Sequence, residues 1–149
     1  FSQLGGPTLF IDADMRSPRS QDIFGITLNR SGLTAMLSGR AEDGLIQRSS
    51  QLPSLFVLPV GAIPPNPLEL IQRPAFAQLI HEMVGKFDHV VVDTPASTHG
   101  ADARAIAALC GAVLVVGRRG RSRMKSMNSL VSALAKSPAK LAGVVMNEY

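Results

Sequence analysis

The sequence predicts an α/β fold, a doubly wound and mostly parallel sheet with helices on both faces. Five short aliphatic runs, each closed by a polar residue, Gly or Pro, have the composition of buried strands. The segments between these runs carry apolar residues at helical spacing. Strands that alternate with helices pair in parallel through right-handed crossovers. Since ligands of such sheets bind outside the carboxyl ends of the strands, functional residues are expected there.

The predicted elements follow in chain order. The strands cover Thr8–Ile11, Leu55–Leu58, Val90–Val92, Val113–Val116 and Leu141–Met146. The helices cover Leu33–Leu37, Pro67–Ile71, Phe76–Val84, Asp102–Leu109 and Met124–Leu134.

Composition sets the broad class. With 149 residues, of which 46% are hydrophobic, residues 1–149 are predicted to form a single domain. No apolar run approaches the roughly 20 residues that a membrane span needs, and no secretory signal is present, so a cytoplasmic location is expected. Cys110 lies in an apolar stretch and is expected to be a buried structural thiol. The cluster from Arg118 to Lys125 accounts for the whole net charge of +4; it is either a solvated turn or an anion-binding patch.

Two carboxylates and an arginine directly follow the first predicted strand. These are Asp12, Asp14 and Arg16. Carboxylates at a strand end can coordinate Mg²⁺ through water and can accept a proton from a nucleophile that attacks a phosphoryl group. The alternative is that both aspartates only turn the chain or cap the next helix.

A second acidic strand end strengthens the first. Asp93 closes the run Val90–Val92 and is followed by Thr94 and Pro95, which gives the form of a Walker B motif. Adjacent strand ends can share one metal ion, so Asp12, Asp14 and Asp93 are the predicted Mg²⁺ residues. A phosphate-binding G-x-x-x-x-G-K-S/T motif is absent from the 149 residues.

The first residues predict more chain upstream. Phe1–Gly6 has the pattern of a last helical turn followed by a glycine cap. A single turn is not stable alone, because helix nucleation is costly. The hypothesis is therefore that further helix precedes Phe1 in the parent protein.

Six segments, taken in order, resemble the bacterial tyrosine kinases. Together they run across essentially the whole chain. They are the Walker A′-like Leu9–Arg16, Gly32–Gly39, the Pro-Pro-Asn-Pro loop Gly61–Leu70, the Walker B-like Val90–Pro95, Gly100–Ala103 and the ending Asn147–Glu148.

The resemblance implies a P-loop NTPase-like kinase that uses ATP and Mg²⁺. It implies that Asp12 activates a tyrosine hydroxyl and holds the metal shell, that Asp14 and Arg16 act beside it, and that Asp93, Pro95 and Asn147 contact the nucleotide site. The family's N-terminal strand, P-loop and most of the first helix are missing from the 149 residues. Tyr149 is the only tyrosine, so the family's tyrosine-rich tail is missing as well. The chain alone is therefore expected to be inactive.

The implied function is autophosphorylation that regulates exopolysaccharide chain length and export. The implied partners are the tyrosine tail of the same or a neighbouring subunit and a membrane chain-length determinant protein. That partner would hold a homo-oligomer at the cytoplasmic side of the inner membrane, with no role for nucleic acid. Two alternatives remain open, an ATPase switch of the ParA/MinD type and a catalytically inactive module that only binds a partner.

Overall fold

The computed structural model describes residues 1–27, 31–40 and 44–148. Within them the chain separates into two compact units, Phe1–Asp102 and Ala103–Tyr149. The prediction that the tyrosine-rich tail is missing refers to Tyr149, the only tyrosine of the sequence. Tyr149 lies outside the described residues.

The strands are mostly parallel. They are β1 (Thr8–Asp12), β2 (Gln47–Arg48), β3 (Leu55–Leu58), β4 (His89–Asp93), β5 (Ala112–Arg118) and β6 (Lys140–Asn147). In the first unit the strand order is β2-β3-β1-β4, and only β2 is antiparallel to its neighbour. In the second unit β5 and β6 form a parallel pair.

The helices are short, and each lies between strands or beside one. They are α1 (Ser20–Phe24), α2 (Leu33–Leu37), α3 (Pro67–Ile71), α4 (Pro74–Val84), α5 (Asp102–Ala107) and α6 (Met124–Leu134). Two single turns of 3₁₀ helix cover Ser2–Leu4 and Ser97–His99. Proline begins both α3 and α4, where its fixed φ is already helical and its missing N–H costs nothing. Gly5, at a φ of 97°, ends the first 3₁₀ turn as the sequence predicts.

All five predicted strands and all five predicted helices are present, with ends that differ by a few residues. The mixed α/β class with mostly parallel strands is confirmed. The sequence analysis missed α1, which is one turn long, and β2, which has two polar residues.

The core of the first unit surrounds the central strands β1 and β3. Leu9, Ile11, Val57 and Leu58 on these strands have no solvent exposure, and neither has Phe76 of α4. This placement leaves the polar residues that follow β1 and β4 at one edge of the sheet, where the strands end. The second unit has a smaller core of Ala107, Val115 and Leu134, against which four partly buried aliphatic side chains pack: Val113, Leu130, Val131 and Leu141.

Candidate active site at the ends of two neighbouring strands

The two acidic strand ends are direct neighbours. The parallel register of β1 and β4 sets Asp12 opposite Asp93. The backbone N–H of Ala13 donates to the Asp93 carbonyl oxygen at 3.0 Å, which continues the ladder past the end of β1. The juxtaposition that the sequence predicts from two parallel strands is therefore present.

Asp12 is almost fully buried, with 1% of its surface exposed. One carboxylate oxygen accepts the backbone N–H of Asp14 at 3.1 Å, and the other accepts that of Ser20 at 3.2 Å. Hydrogen bonds of this kind compensate the cost of burying a charge. Asp12 thus fixes both the turn after β1 and the first residue of α1.

Asp14 forms a second turn of the same type. Its Oδ1 accepts the backbone N–H of Arg16 at 3.1 Å and that of Ser17 at 3.0 Å. Unlike Asp12 it is only half-buried. Both aspartates therefore turn the chain, as the structural alternative in the sequence analysis proposed. That role does not exclude the chemical one, because each oxygen of Asp12 keeps a further lone pair and both of these bonds to Asp14 use Oδ1, not Oδ2.

The pKa of Asp93 is affected by burial and by the two neighbouring carboxylates. Its pKa is raised, first because the carboxyl is partly desolvated and second because the negative charge of Asp12 is close, with Asp14 adding to the effect. A backbone hydrogen bond from Thr94 opposes the rise. Three carboxylates that repel one another in this way are an environment that a cation would stabilise.

The donor set fits Mg²⁺ that keeps its water shell. Carboxylate oxygens are the side-chain ligands that Mg²⁺ prefers, usually one or two directly and the rest through water. Across residues 1–27, 31–40 and 44–148, no three acidic, histidine or cysteine side chains lie close enough to enclose a metal directly.

Arg16 is held by a residue that the sequence analysis did not place in the site. Its Nε donates to Oδ2 of Asp102 at 2.6 Å, and this bond is the main cause of a raised guanidinium pKa. Asp102 is buried, with 2% of its surface exposed. Two signals in the sequence pointed to it: its place at the start of a predicted helix, and its position in the segment Gly100–Ala103, which is one of those that carry the resemblance.

Arg16 also borders a cavity of about 430 Å³. The other wall is the Pro-Pro-Asn-Pro loop and the start of α3, through Pro65, Asn66, Pro67, Leu68, Glu69 and Gln72. A neighbouring cavity of about 510 Å³ shares part of this wall and extends towards Arg40 and Arg73. The loop singled out in the sequence therefore faces Arg16 across this cavity.

Two predicted nucleotide-site residues are placed differently. Pro95 follows β4 and is buried. Asn147 ends β6 in the second unit, and its carbonyl oxygen accepts the N–H of Arg119 at 2.9 Å. Their roles stay predictions.

The basic cluster forms an exposed turn before α6. The hydroxyl of Ser122 accepts the backbone N–H of Arg118 at 2.8 Å, and Arg119 pairs with Glu148 at 2.7 Å.

Cys110 is half-buried rather than fully buried, and desolvation raises the pKa of its thiol, which disfavours a reactive thiolate. None of the described helices has the length and apolar character to cross a membrane.

Known proteins resemble this chain in sequence and in fold. No protein-family model matches the chain. The chain is 34% identical over 147 residues to tyrosine-protein kinase CpsD of Streptococcus agalactiae, which covers 99% of this chain and 64% of that protein. The kinase domain of the Escherichia coli tyrosine kinase ETK superposes with a TM-score of 0.90 at 31% identity, covering 98% of this chain and 57% of the other. MinD from Pyrococcus horikoshii, solved with Mg-ADP, matches with a TM-score of 0.79 at 21% identity over 99% of this chain and 60% of that one.

The fold is an α/β fold of the P-loop NTPase type, which the chain shares with these solved structures. Within that class the chain is similar, along almost its whole length, to bacterial tyrosine kinases. It spans a little less than two thirds of CpsD, the relative described above.

Proposed function

We propose that the protein containing this chain is an ATP-dependent protein-tyrosine autokinase that regulates exopolysaccharide chain length and export. One observation carries the proposal: Asp12 and Asp93 lie in register at the ends of neighbouring parallel strands, with Asp14 in the turn that follows. The names of the relatives, tyrosine-protein kinases along almost the whole of this chain, support it.

The proposed roles follow the positions of the carboxylates. Asp12, Asp14 and Asp93 would hold the water shell of Mg²⁺, which would neutralise charge on the phosphates. ATP would supply the γ-phosphoryl group to the tyrosine oxygen and leave as ADP. Asp12, anchored by two backbone N–H groups, accepts the proton of the attacking tyrosine hydroxyl. Arg16 stabilises the transferred phosphoryl group, and Pro95 borders the nucleotide.

A segment upstream of Phe1 completes the proposed domain. The 149 residues contain no phosphate-binding loop, and the relatives are longer than this chain. The strand β4 adds a physical argument. Its run of valines is typical of a central strand covered on both sides, yet Val90, Val91 and Val92 are only half-buried and pair with β1 on one side among the described strands. We propose that an upstream strand, P-loop and helix belong to the same domain as residues 1–149.

The proposed partners are those that the similarity to bacterial tyrosine kinases suggests. A tyrosine-rich tail of the same or a neighbouring subunit is the acceptor, and the intact protein is a homo-oligomer. A membrane chain-length determinant protein recruits it to the cytoplasmic face of the inner membrane. The related chimerical protein CapA2B2 carries two components in its name, which supports a two-protein arrangement.

The test compares this chain with a version extended upstream by about 60 residues, enough for a strand, a P-loop and a helix. Isothermal titration with Mg·ATP measures binding, and mass spectrometry measures phosphotyrosine. We expect binding and labelling only in the longer protein. Asp14→Asn should lower the labelling rate on the order of 100-fold, as removal of an electrostatic catalytic group does.

Asp22→Asn is the matched control. Asp22 is an exposed aspartate on α1, outside the carboxylate cluster, so its removal should leave the rate unchanged. ATP hydrolysis without phosphotyrosine would instead favour the ParA/MinD-type switch. A longer protein that binds no nucleotide would leave the partner-binding module as the explanation.

A further inference from the structure

Asp102 is a buried carboxylate that the proposed catalytic steps do not use. It is the first residue of α5, and one of its oxygens, Oδ1, is buried without a hydrogen-bond partner among the described residues. Burying a carboxylate is costly unless a partner compensates the charge. Such a residue is expected to serve the group with which it pairs.

That group is Arg16. Asp102 takes the Nε–H of Arg16 at 2.6 Å, across 86 positions of sequence. The two terminal amino groups of Arg16 make no hydrogen bond within the described part of the chain, and the side chain is 36% exposed. The pair therefore has one buried end, which is fixed, and one solvent-facing end, which has donors to offer.

Gly100 shapes the same arrangement from the other side. Its φ of 148° lies in a region that favours glycine, and a Cβ at this position would lie 3.6 Å from Nη2 of Arg16 and 3.9 Å from Oδ1 of Asp102. A side chain at this position would therefore touch both members of the ion pair, whereas glycine leaves this space open.

The free end of Arg16 borders the cavity formed with the Pro-Pro-Asn-Pro loop. The opposite wall offers the side-chain amides of Asn66 and Gln72. The acidic side chain in that wall, Glu69, is already paired with Arg73 at 2.8 Å. Among the described residues, Arg16 is therefore the one cationic side chain that lines this cavity. Its carboxylate partner Asp102 binds only the Nε–H.

We propose that Asp102 is a positioning residue that holds Arg16 so that its two terminal amino groups bind a phosphate monoester in this cavity. The inference rests on the proposed function, and the monoester is the phosphorylated tyrosine side chain. A guanidinium presents two parallel N–H donors that match two phosphate oxygens, which an ammonium group does not. With its Nε taken by Asp102, the terminal edge is the one left for phosphate.

The test uses the upstream-extended protein, with phenyl phosphate as the probe. Its affinity is measured by phosphorus NMR titration, which does not require kinase activity. Arg16→Lys and Asp102→Asn should each weaken binding about tenfold or more, since each disturbs a charge-assisted hydrogen bond or its geometry. The double variant should bind no more weakly than Arg16→Lys alone, because Asp102 acts through Arg16.

Arg73→Lys is the matched control. Arg73 is also paired with a carboxylate near the same wall, but its partner Glu69 is exposed, so the affinity for phenyl phosphate should not change. Equal weakening in this variant would overturn the proposal, because the cavity would then respond only to net charge.

The remaining outcomes are also decisive. Unchanged affinity for phenyl phosphate in Arg16→Lys overturns the proposal. If Asp102→Asn does not fold, Arg16→Lys still tests the proposal, because the side chain of Arg16 is partly exposed. Effects of the two single variants that multiply in the double variant overturn the positioning role. If Arg16→Lys binds ATP more weakly but binds phenyl phosphate as before, phosphotyrosine is not the ligand of Arg16, and the proposal is overturned. If phenyl phosphate binds as expected and no phosphotyrosine forms, the kinase proposal fails while the anion site stands.

Discussion

The two compact units use strands of similar composition but bury them very differently. In the first unit β1 lies between two strands, and four of its five residues are buried. In the second unit β5 is equally aliphatic, yet only Val115 and Gly117 are buried, and none of the residues of β6 is. An aliphatic run therefore predicts a strand, whereas its burial depends on how many neighbours cover it.

The two units also differ in how easily the atoms around a glycine can move to make room for an added methyl group. Gly32 precedes α2 in the first unit, and a Cβ there would lie 2.3 Å from the Pro59 carbonyl oxygen and 2.6 Å from the Gly61 nitrogen, both backbone atoms. Gly117 on β5 in the second unit would meet the ends of two methionine side chains instead, Met146 at 2.7 Å and Met127 at 2.8 Å. Backbone must shift in the first case, whereas flexible side chains can move in the second.

The largest expected difference between the units is between Gly32→Ala and Gly117→Ala. We expect Gly32→Ala to lower the free energy of unfolding of the first unit by about 3 kcal/mol or more, because the added methyl group overlaps backbone. Gly117→Ala should lower that of the second unit by about 1 kcal/mol, because methionines repack. Amide hydrogen exchange measures each unit separately. Equal losses would show that the contacts of the two units are equally rigid.

A leucine pair compares burial directly. Leu58 on β3 has no exposed surface, whereas Leu114 on β5 is 55% exposed. Leu58→Ala should lower the free energy of unfolding by about 3 kcal/mol, since it leaves a cavity. Leu114→Ala should lower it by less than about 1 kcal/mol, since most of that side chain already contacts water. Urea titration of both variants checks the ratio, and a large effect at Leu114 would mean that its strand face is covered in solution.

The smallest expected effect concerns Asp93 and pH. Its pKa is raised in the folded protein, so the charged form is less favourable there than in the unfolded chain. Asp93→Asn should therefore increase the free energy of unfolding at pH 7, in the absence of metal ions. The gain should disappear as the pH falls through the raised pKa to below the ordinary aspartate value of about 4, where both states are protonated. Urea titrations at pH 7 and pH 3 measure it, and a gain that persists at pH 3 would contradict this explanation.

The periodic elements could be predicted from the sequence, and the missed ones show why others could not. The strands β1, β3 and β4 are recognisable from their own sequences, because each is a short aliphatic run. By contrast, α1 is one turn long, and its first N–H is bound by the distant Asp12. The two polar residues of β2 are held by pairing with β3 and by bonds between Gln47 and the backbone of Thr27. Local patterns carry no information about such partners.

The same division holds at the candidate site. The meeting of Asp12 and Asp93 was predictable, because parallel strands end at the same edge of the sheet. The burial of Asp12 and the pairing of Arg16 with Asp102 were not, because they depend on contacts between segments far apart in sequence. Whether these residues have the proposed chemical roles stays a prediction.

The short strand β2 also affects how the protein associates with itself. Sheet edges attract strands of other molecules, because they present a row of unpaired N–H and C=O groups. At this edge the row is only two residues long. The side chains of Gln47 and Arg48 are bonded within the chain, to the Thr27 backbone and to the Pro53 carbonyl oxygen. Because the row is so short, an incoming strand finds little backbone to pair with at this edge.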